Sequence, residues 1–125
     1  MQDWNPPEKV WQNNVRTIAL SLGWGRGAGF FYHALHSKGS WAGWPDICMS
    51  DGTNLIYAEL KSNKGKLTQA QEDILDILSL HHDHVYLWRP DDRDEVYEIL
   101  WRTKTFTDLT SDTRWVKRKG TNDDE

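Results

Sequence analysis

Glu59 and Lys61 stand two residues apart in the run Leu55-Ile56-Tyr57-Ala58-Glu59-Leu60-Lys61. Side chains alternate across an extended chain, so as a strand this run sends acid and amine to one side and Ala58 and Leu60 to the core. Asp46 opens the preceding apolar run, Asp46-Ile47-Cys48-Met49, and Asp51-Gly52-Thr53-Asn54 between the two is turn chemistry. The two runs read as a hairpin, which returns the chain and can set Asp46 beside Glu59. Two carboxylates and a lysine at one point suit the hydrolysis of a phosphodiester. A Mg²⁺ held by Asp46, Glu59 and the backbone carbonyl of Leu60 would offset charge growing on the phosphate oxygens and make water nucleophilic. Lys61 would orient or help deprotonate that water and stabilise the pentacoordinate phosphate. The plainer reading of the same residues is an exposed charge pair on a half-buried strand, with Pro45-Asp46 merely starting its neighbour.

The elements needed to hold such a site are legible around it. Asn5-Pro6-Pro7-Glu8 predicts a helix that starts near Pro6, with Asn5 as N-cap and Glu8 closing a capping box. Trp11, Val15, Ile18, Ala19 and Leu22 recur on one face of it, and Gly23 ends it. The glycine-rich stretch 23–29 follows a helix and leads into a strand at 30–35, the wrong context for a phosphate-cradling loop, so it is read as a connector. A second helix runs from a Thr68 cap to about Leu80, and Val85 to Trp88 makes another strand, ended by Arg89-Pro90. Asp92-Arg93-Asp94-Glu95 predicts a capping box for a last helix carrying Val96, Ile99 and Leu100. Gln71 falls on the apolar side of the second helix with Ile74, Leu75 and Leu78, where a buried amide needs a partner. It either closes a capping box with Thr68 or bonds to the site. Lys64 and Lys66, in a glycine-containing loop beside the site, suit phosphate contacts.

Bulk properties bound the choices. A length of 125 residues fits one domain with a real core, and eight tryptophans are too many for all to be fully buried. The single cysteine, Cys48, excludes an intrachain disulfide and a cysteine-based zinc site. No apolar run approaches the roughly 20 residues of a membrane span, and the first residues lack the basic and apolar regions of a signal peptide, so a soluble, cytoplasmic protein is expected. A net charge of -4 argues against holding nucleic acid by bulk electrostatics, an objection that bound divalent ions would reduce by reversing the local sign. His81, His82 and His84 are read as residues at a helix C-terminus rather than a metal cluster. Arg114-Trp115-Val116-Lys117-Arg118-Lys119 is basic but followed by acids, and is read as a solvated tail.

Glu8, Gln12, Val15, Gly23-Trp24, Tyr32-His33, Ser37, Ser40, Gly43-x-Pro45-Asp46, Glu59-Leu60-Lys61, Gly65-Lys66-Leu67-Thr68, Gln71 and Val85-Tyr86-x-Trp88-Arg89-Pro90 together resemble the VRR-NUC nucleases of the PD-(D/E)XK superfamily, above all the small stand-alone forms of phages and bacteria. The resemblance spans about residues 8 to 100. It implies an α/β, restriction-endonuclease-like fold with an αβββαβ core, a mixed sheet flanked by helices. It also implies Mg²⁺ or Mn²⁺ dependence and endonucleolytic cutting of branched DNA by a homodimer, in the manner of a Holliday-junction resolvase. By position, Asp46 and Glu59 become metal ligands, Lys61 the catalytic lysine and Gln71 a support for the site. Glu8 either reaches the metals or only caps its helix. His33 contacts DNA or is a satisfied core histidine, and Ser37 and Ser40 lie on the DNA side.

The expected organisation is one nuclease domain over 1–101 and a polar, partly mobile extension over 102–125. Two other functions compete with this one: a non-catalytic DNA-binding or assembly module on the same fold, and a protein-interaction domain anchored by its tryptophans. Among nucleases, a flap or plain-duplex enzyme stands beside the resolvase.

Overall fold

The computed structural model describes residues 4–34, 41–103 and 111–116. Its elements run α1 (Glu8–Ser21), β1 (Phe30–His33), β2 (Ile47–Ser50), β3 (Leu55–Leu60), α2 (Gln69–His81), β4 (Val85–Trp88), a 3-10 turn (Pro90–Asp92) and α3 (Arg93–Thr103). The strands form one mixed sheet in the order β1-β2-β3-β4. The first three are antiparallel neighbours, and β4 lies parallel to β3, the two being joined through α2. The chain is therefore α/β, with an open mixed sheet and helices on both faces.

Alternation sorts the sheet. Ile47, Met49, Ile56, Ala58, Leu60, Tyr86 and Trp88 turn to one face and join Trp11, Val15, Ile18 and Ala19 of α1 and Val96, Ile99 and Leu100 of α3 in the main core. The apolar positions expected on the first and last helices are the ones that pack. Trp11, Trp24 and Trp88 are fully buried, and each indole N–H finds an acceptor, on the Trp88 carbonyl, the Leu100 carbonyl and Thr113 Oγ1 respectively. Trp41 and Trp101 are among the exposed ones. On the opposite face, α2 packs over β4 and closes off one half of the sheet.

Three local expectations are corrected. The first helix starts at Glu8 with Pro7 as N-cap and no side-chain cap bond, so Asn5 does not cap it. The reason is steric: Pro7 pushes Pro6 out of the helical region, so the helix cannot begin at Pro6 directly after Asn5. The Asp92–Glu95 capping box does not form. Asp92 instead accepts the Arg89 backbone N–H at 2.8 Å, and Glu95 accepts from Ser111 Oγ and from Thr113 N and Oγ1. The first strand ends at His33, Ala34 follows it outside the strand, and Leu35 lies outside the described residues.

The stretch 111–116 belongs to the sheet. Leu87 donates its N–H to the Thr113 carbonyl at 3.1 Å, Trp115 donates to the Val85 carbonyl at 2.6 Å, and Arg114 bridges Tyr86 in antiparallel sense. Thr113, Arg114 and Trp115 of the expected extension thus pair with β4, and α3 runs two residues past the expected boundary at 101.

The glycine-rich connector is a close-packed turn. A Cβ on Gly29 would come within 2.3 Å of the Ser50 carbonyl oxygen, so this segment can lie against the end of β2 only as glycine. Among the described residues no helix is long and apolar enough to cross a membrane.

Candidate active site

Asp46 immediately precedes β2. Ile47 pairs with Ala58, so the next residues outward, Asp46 and Glu59, come opposite each other on the α2 face. Both are buried, Asp46 to 2% and Glu59 to 1% exposure. The exposed charge pair on a half-buried strand is thereby excluded, because α2 covers the face on which Glu59 stands. Asp46 Oδ2 accepts the Leu60 backbone N–H at 2.8 Å, which fixes this carboxylate against the end of β3. The Ala34 N–H donates to the Asp46 carbonyl at 2.7 Å and holds the same residue from the β1 side.

Glu59 Oε2 accepts from Gln71 Nε2 at 3.1 Å and lies 3.9 Å from Lys61 Nζ. Glu59 Oε1 is buried and no donor reaches it. Burial, and next the Asp46 carboxylate beside it, push the Glu59 pKa up to about 9; Lys61 opposes this, and Glu8 adds to it. Glu59 therefore holds its proton at neutral pH when no cation is bound.

Gln71 settles the choice posed by its sequence position by doing both things. Its Oε1 accepts the Thr68 N–H at 2.9 Å and its N–H donates to Thr68 Oγ1, a complete capping box, while its amide nitrogen holds Glu59. The start of α2 and the orientation of Glu59 are thus set by one side chain. Gly43 brings the loop before Asp46 against the same helix: at φ +90 it packs so near Ala70 that a Cβ would lie 2.4 Å from the Ala70 carbonyl oxygen.

Lys61 continues the β3–β4 pairing by donating its N–H to the Trp88 carbonyl at 3.1 Å, the same oxygen that accepts the Trp11 indole. Its side chain is 13% exposed, at the edge of the carboxylate pair. Glu8 lies where its charge acts on Glu59, and it accepts from Gln12 at 3.2 Å rather than capping α1. Among the described residues, no three His, Cys, Asp or Glu side chains come together as a metal-holding group. The His81, His82 and His84 side chains take separate surroundings: His82 stacks obliquely on Tyr57, and His84 Nδ1 lies 2.9 Å from the Tyr86 hydroxyl.

His33 is not brought to the carboxylates. It pairs with Ile47, whose side chain turns to the main core, so His33 stands on the other face of the sheet and is only partly buried. Ser37 and Ser40 lie outside the described residues. Lys64 and Lys66 are exposed on the loop between Lys61 and α2. The residue whose role the sequence did not disclose is Arg89. Its guanidinium Nη1 donates to the Ser62, Asn63 and Gly65 carbonyls at 2.7, 3.5 and 2.6 Å, which folds this loop around it. Its sequence signals were its position directly after a strand and its place in the Val85-Tyr86-x-Trp88-Arg89-Pro90 motif, neither of which gave it a role.

The donor set fits a divalent cation. Hard oxygen ligands, a buried carboxylate oxygen without a donor and a raised acid pKa are the features expected where a cation completes the charge balance. Compared with family models, with curated proteins and with solved structures, the chain finds no match.

Proposed function

We propose that this chain is a divalent-metal-dependent DNA endonuclease on a restriction-endonuclease-like αβββαβ core, hydrolysing phosphodiester bonds in branched DNA. The observation that carries the reading is the buried Asp46–Glu59 pair with Glu59 Oε1 unpartnered and Lys61 at its edge. Asp46 and Glu59, with the Leu60 carbonyl, are the ligands for Mg²⁺ or Mn²⁺, and waters and phosphate oxygens complete the shell. When bound, the ion supplies Lewis-acid stabilisation of the phosphate and a more acidic water.

The chain's own residues do the rest. Gln71 holds Glu59 by one oxygen and leaves the other free to coordinate. Leu60 N–H keeps Asp46 from turning away. Lys61 faces the side from which water and the scissile phosphate must enter, where its ammonium orients the nucleophile and offsets charge on the phosphate. Glu8 adds negative charge from α1 and favours a cation at the site. Order, spacing and element sequence also support the resemblance to the VRR-NUC nucleases, and with it a homodimer acting as a junction resolvase, since resolution needs two paired cuts.

The test is incubation with labelled four-way junction, flap and linear duplex DNA in Mg²⁺, in Mn²⁺ and in EDTA, with Asp46→Ala and Lys61→Ala alongside. Metal-dependent cleavage lost in both variants supports the nuclease, and symmetric cuts confined to the junction support resolution. Binding without cleavage in either metal overturns it in favour of a non-catalytic DNA-binding module.

A further inference from the structure

Arg89 spends a full positive charge on three backbone carbonyls of one short loop. Asp92, whose carboxylate accepts the Arg89 backbone N–H at 2.8 Å, is an acid on which the Arg89 charge acts. With the Ser62, Asn63 and Gly65 carbonyls turned inward onto Arg89, Lys64 and Lys66 are left on the outer side, both exposed. Asn63 pins the loop from a second direction. Its amide donates to the Trp4 carbonyl at 3.1 Å and its Oδ1 accepts the Asp91 N–H at 2.9 Å. Lys64 lines an open cleft of about 310 Å³ with Trp4, Asn5, Asn63 and Asp91, room for a sugar-phosphate unit. The loop begins directly after Lys61, so whatever it binds lies next along a strand held at the carboxylate pair.

We propose that loop 62–66 is a second phosphate subsite for the substrate strand, with Lys64 and Lys66 as its cations and Arg89 as the residue that positions them. This rests on the reading of Asp46 and Glu59 as a phosphodiester-cleaving site. The subsite explains how an acidic protein holds DNA: a local concentration of cationic charge beside the site replaces a basic surface. Arg89 touches neither metal nor substrate; it acts through the loop.

The experiment measures binding of fluorescein-labelled duplex and four-way junction DNA by anisotropy in EDTA, across roughly 50 to 200 mM salt, where phosphate contacts set the salt dependence. The variants are Lys64→Gln with Lys66→Gln, Arg89→Lys, and all three together. Loss of two phosphate contacts is expected to reduce the log–log salt slope by about 1.8 in the double lysine variant. Arg89→Lys, which keeps the charge but not the planar fork, is expected to weaken binding several-fold in the wild type and to add nothing once both lysines are gone. An unchanged slope in the lysine variant, or an Arg89→Lys loss of equal size in both backgrounds, overturns the proposal. Should Arg89→Lys fail to fold, the slope of the lysine variant decides, since both lysines are exposed. Cleavage in Mg²⁺ is scored separately: a wild type that cuts with an unaltered slope removes the subsite alone, and one that never cuts but loses the slope removes the nuclease reading alone.

Discussion

The Leu60 backbone N–H donates to Asp46 Oδ2 at 2.8 Å inside the protein, so the carboxylate at the head of β2 is also a tie to the last residue of β3. On the proposed function the same side chain serves both the sheet and the site. An asparagine can keep the tie through its own oxygen but cannot supply a full carboxylate to a cation.

Asp46→Asn is accordingly expected to fold with stability near wild type and to lose at least a hundredfold in cleavage. Asp46→Ala is expected to lose as much activity and also about 1 to 3 kcal/mol of stability, because it leaves the buried Leu60 N–H without an acceptor. Urea unfolding of the two variants, set beside their cleavage rates, checks this. Equal stability in both would mean that the bond contributes nothing to the fold.

Glu59 makes metal-free stability depend on pH with a defined sign. Its folded pKa, about 9, lies above the ordinary value of 4.5. Between those values the folded state keeps a proton that the unfolded state has lost, so this group's contribution is full below pH 4.5 and is lost as pH rises to about 9. The loss is at most about 1.4 kcal/mol per pH unit. His84, whose pKa is lowered by burial, acts in the opposite sense below its ordinary 6.5, so the clean window lies above neutrality. The groups facing Glu59 are Asp46, Lys61, Glu8 and the Gln71 amide. Urea midpoints in EDTA are expected to fall from pH 7 to 9 and to stay level in Glu59→Gln.

On the proposed function, metal binding draws on the same proton. At pH 7 the ion would displace it from Glu59, so calorimetric titration with Mn²⁺ in buffers of different ionisation enthalpy is expected to report release of about one proton per ion. Heat independent of the buffer would mean that Glu59 is already ionised.

Gln71 couples a helix cap to the site, and Gln71→Glu separates the two roles. A glutamate closes the capping box with Thr68 as well as glutamine does, so the thermal midpoint should hardly change. It also sets a third carboxylate against Glu59 in place of a donor, and cleavage is expected to fall at least tenfold with a higher metal requirement. Gln71→Ala should lose activity together with about 0.5 to 2 kcal/mol of stability, the usual range for a lost cap.

Glu95 holds the 111–116 stretch on β4 through Ser111 and Thr113. In Glu95→Ala the Leu87 amide, whose acceptor is the Thr113 carbonyl, is expected to exchange with solvent at least tenfold faster. Amides paired between β2 and β3 should keep their protection, and hydrogen exchange by NMR distinguishes the two sets.

Much of this was legible in the chain because the governing rules are local. Strand alternation put Glu59 and Lys61 on one side, the Asp51–Asn54 turn returned β2 against β3, and together they set Asp46 opposite Glu59. Helical spacing picked out the packed faces of α1 and α3, and Thr68 with Gln71 marked the start of α2. Local rules also misled where two of them competed: Asn5 is a good cap, but Pro7 keeps Pro6 out of the helical region, so no helix starts directly after Asn5.

Tertiary structure decided what depends on residues far apart in sequence. Glu59 is buried, rather than one half of an exposed ion pair, because the α2 crossover covers the second face of β3, and no pattern within β3 records that. The Gln71–Glu59 bond, the Arg89 clasp on the 62–65 carbonyls and the docking of 111–116 all join segments whose closeness is set by strand order. His33, adjacent to Tyr32 in a promising motif, fell on the far face because pairing with Ile47 fixed its side. Residue types and spacing thus determined which groups could do chemistry; burial, and the charge imbalance that follows from it, arose only when the layers closed.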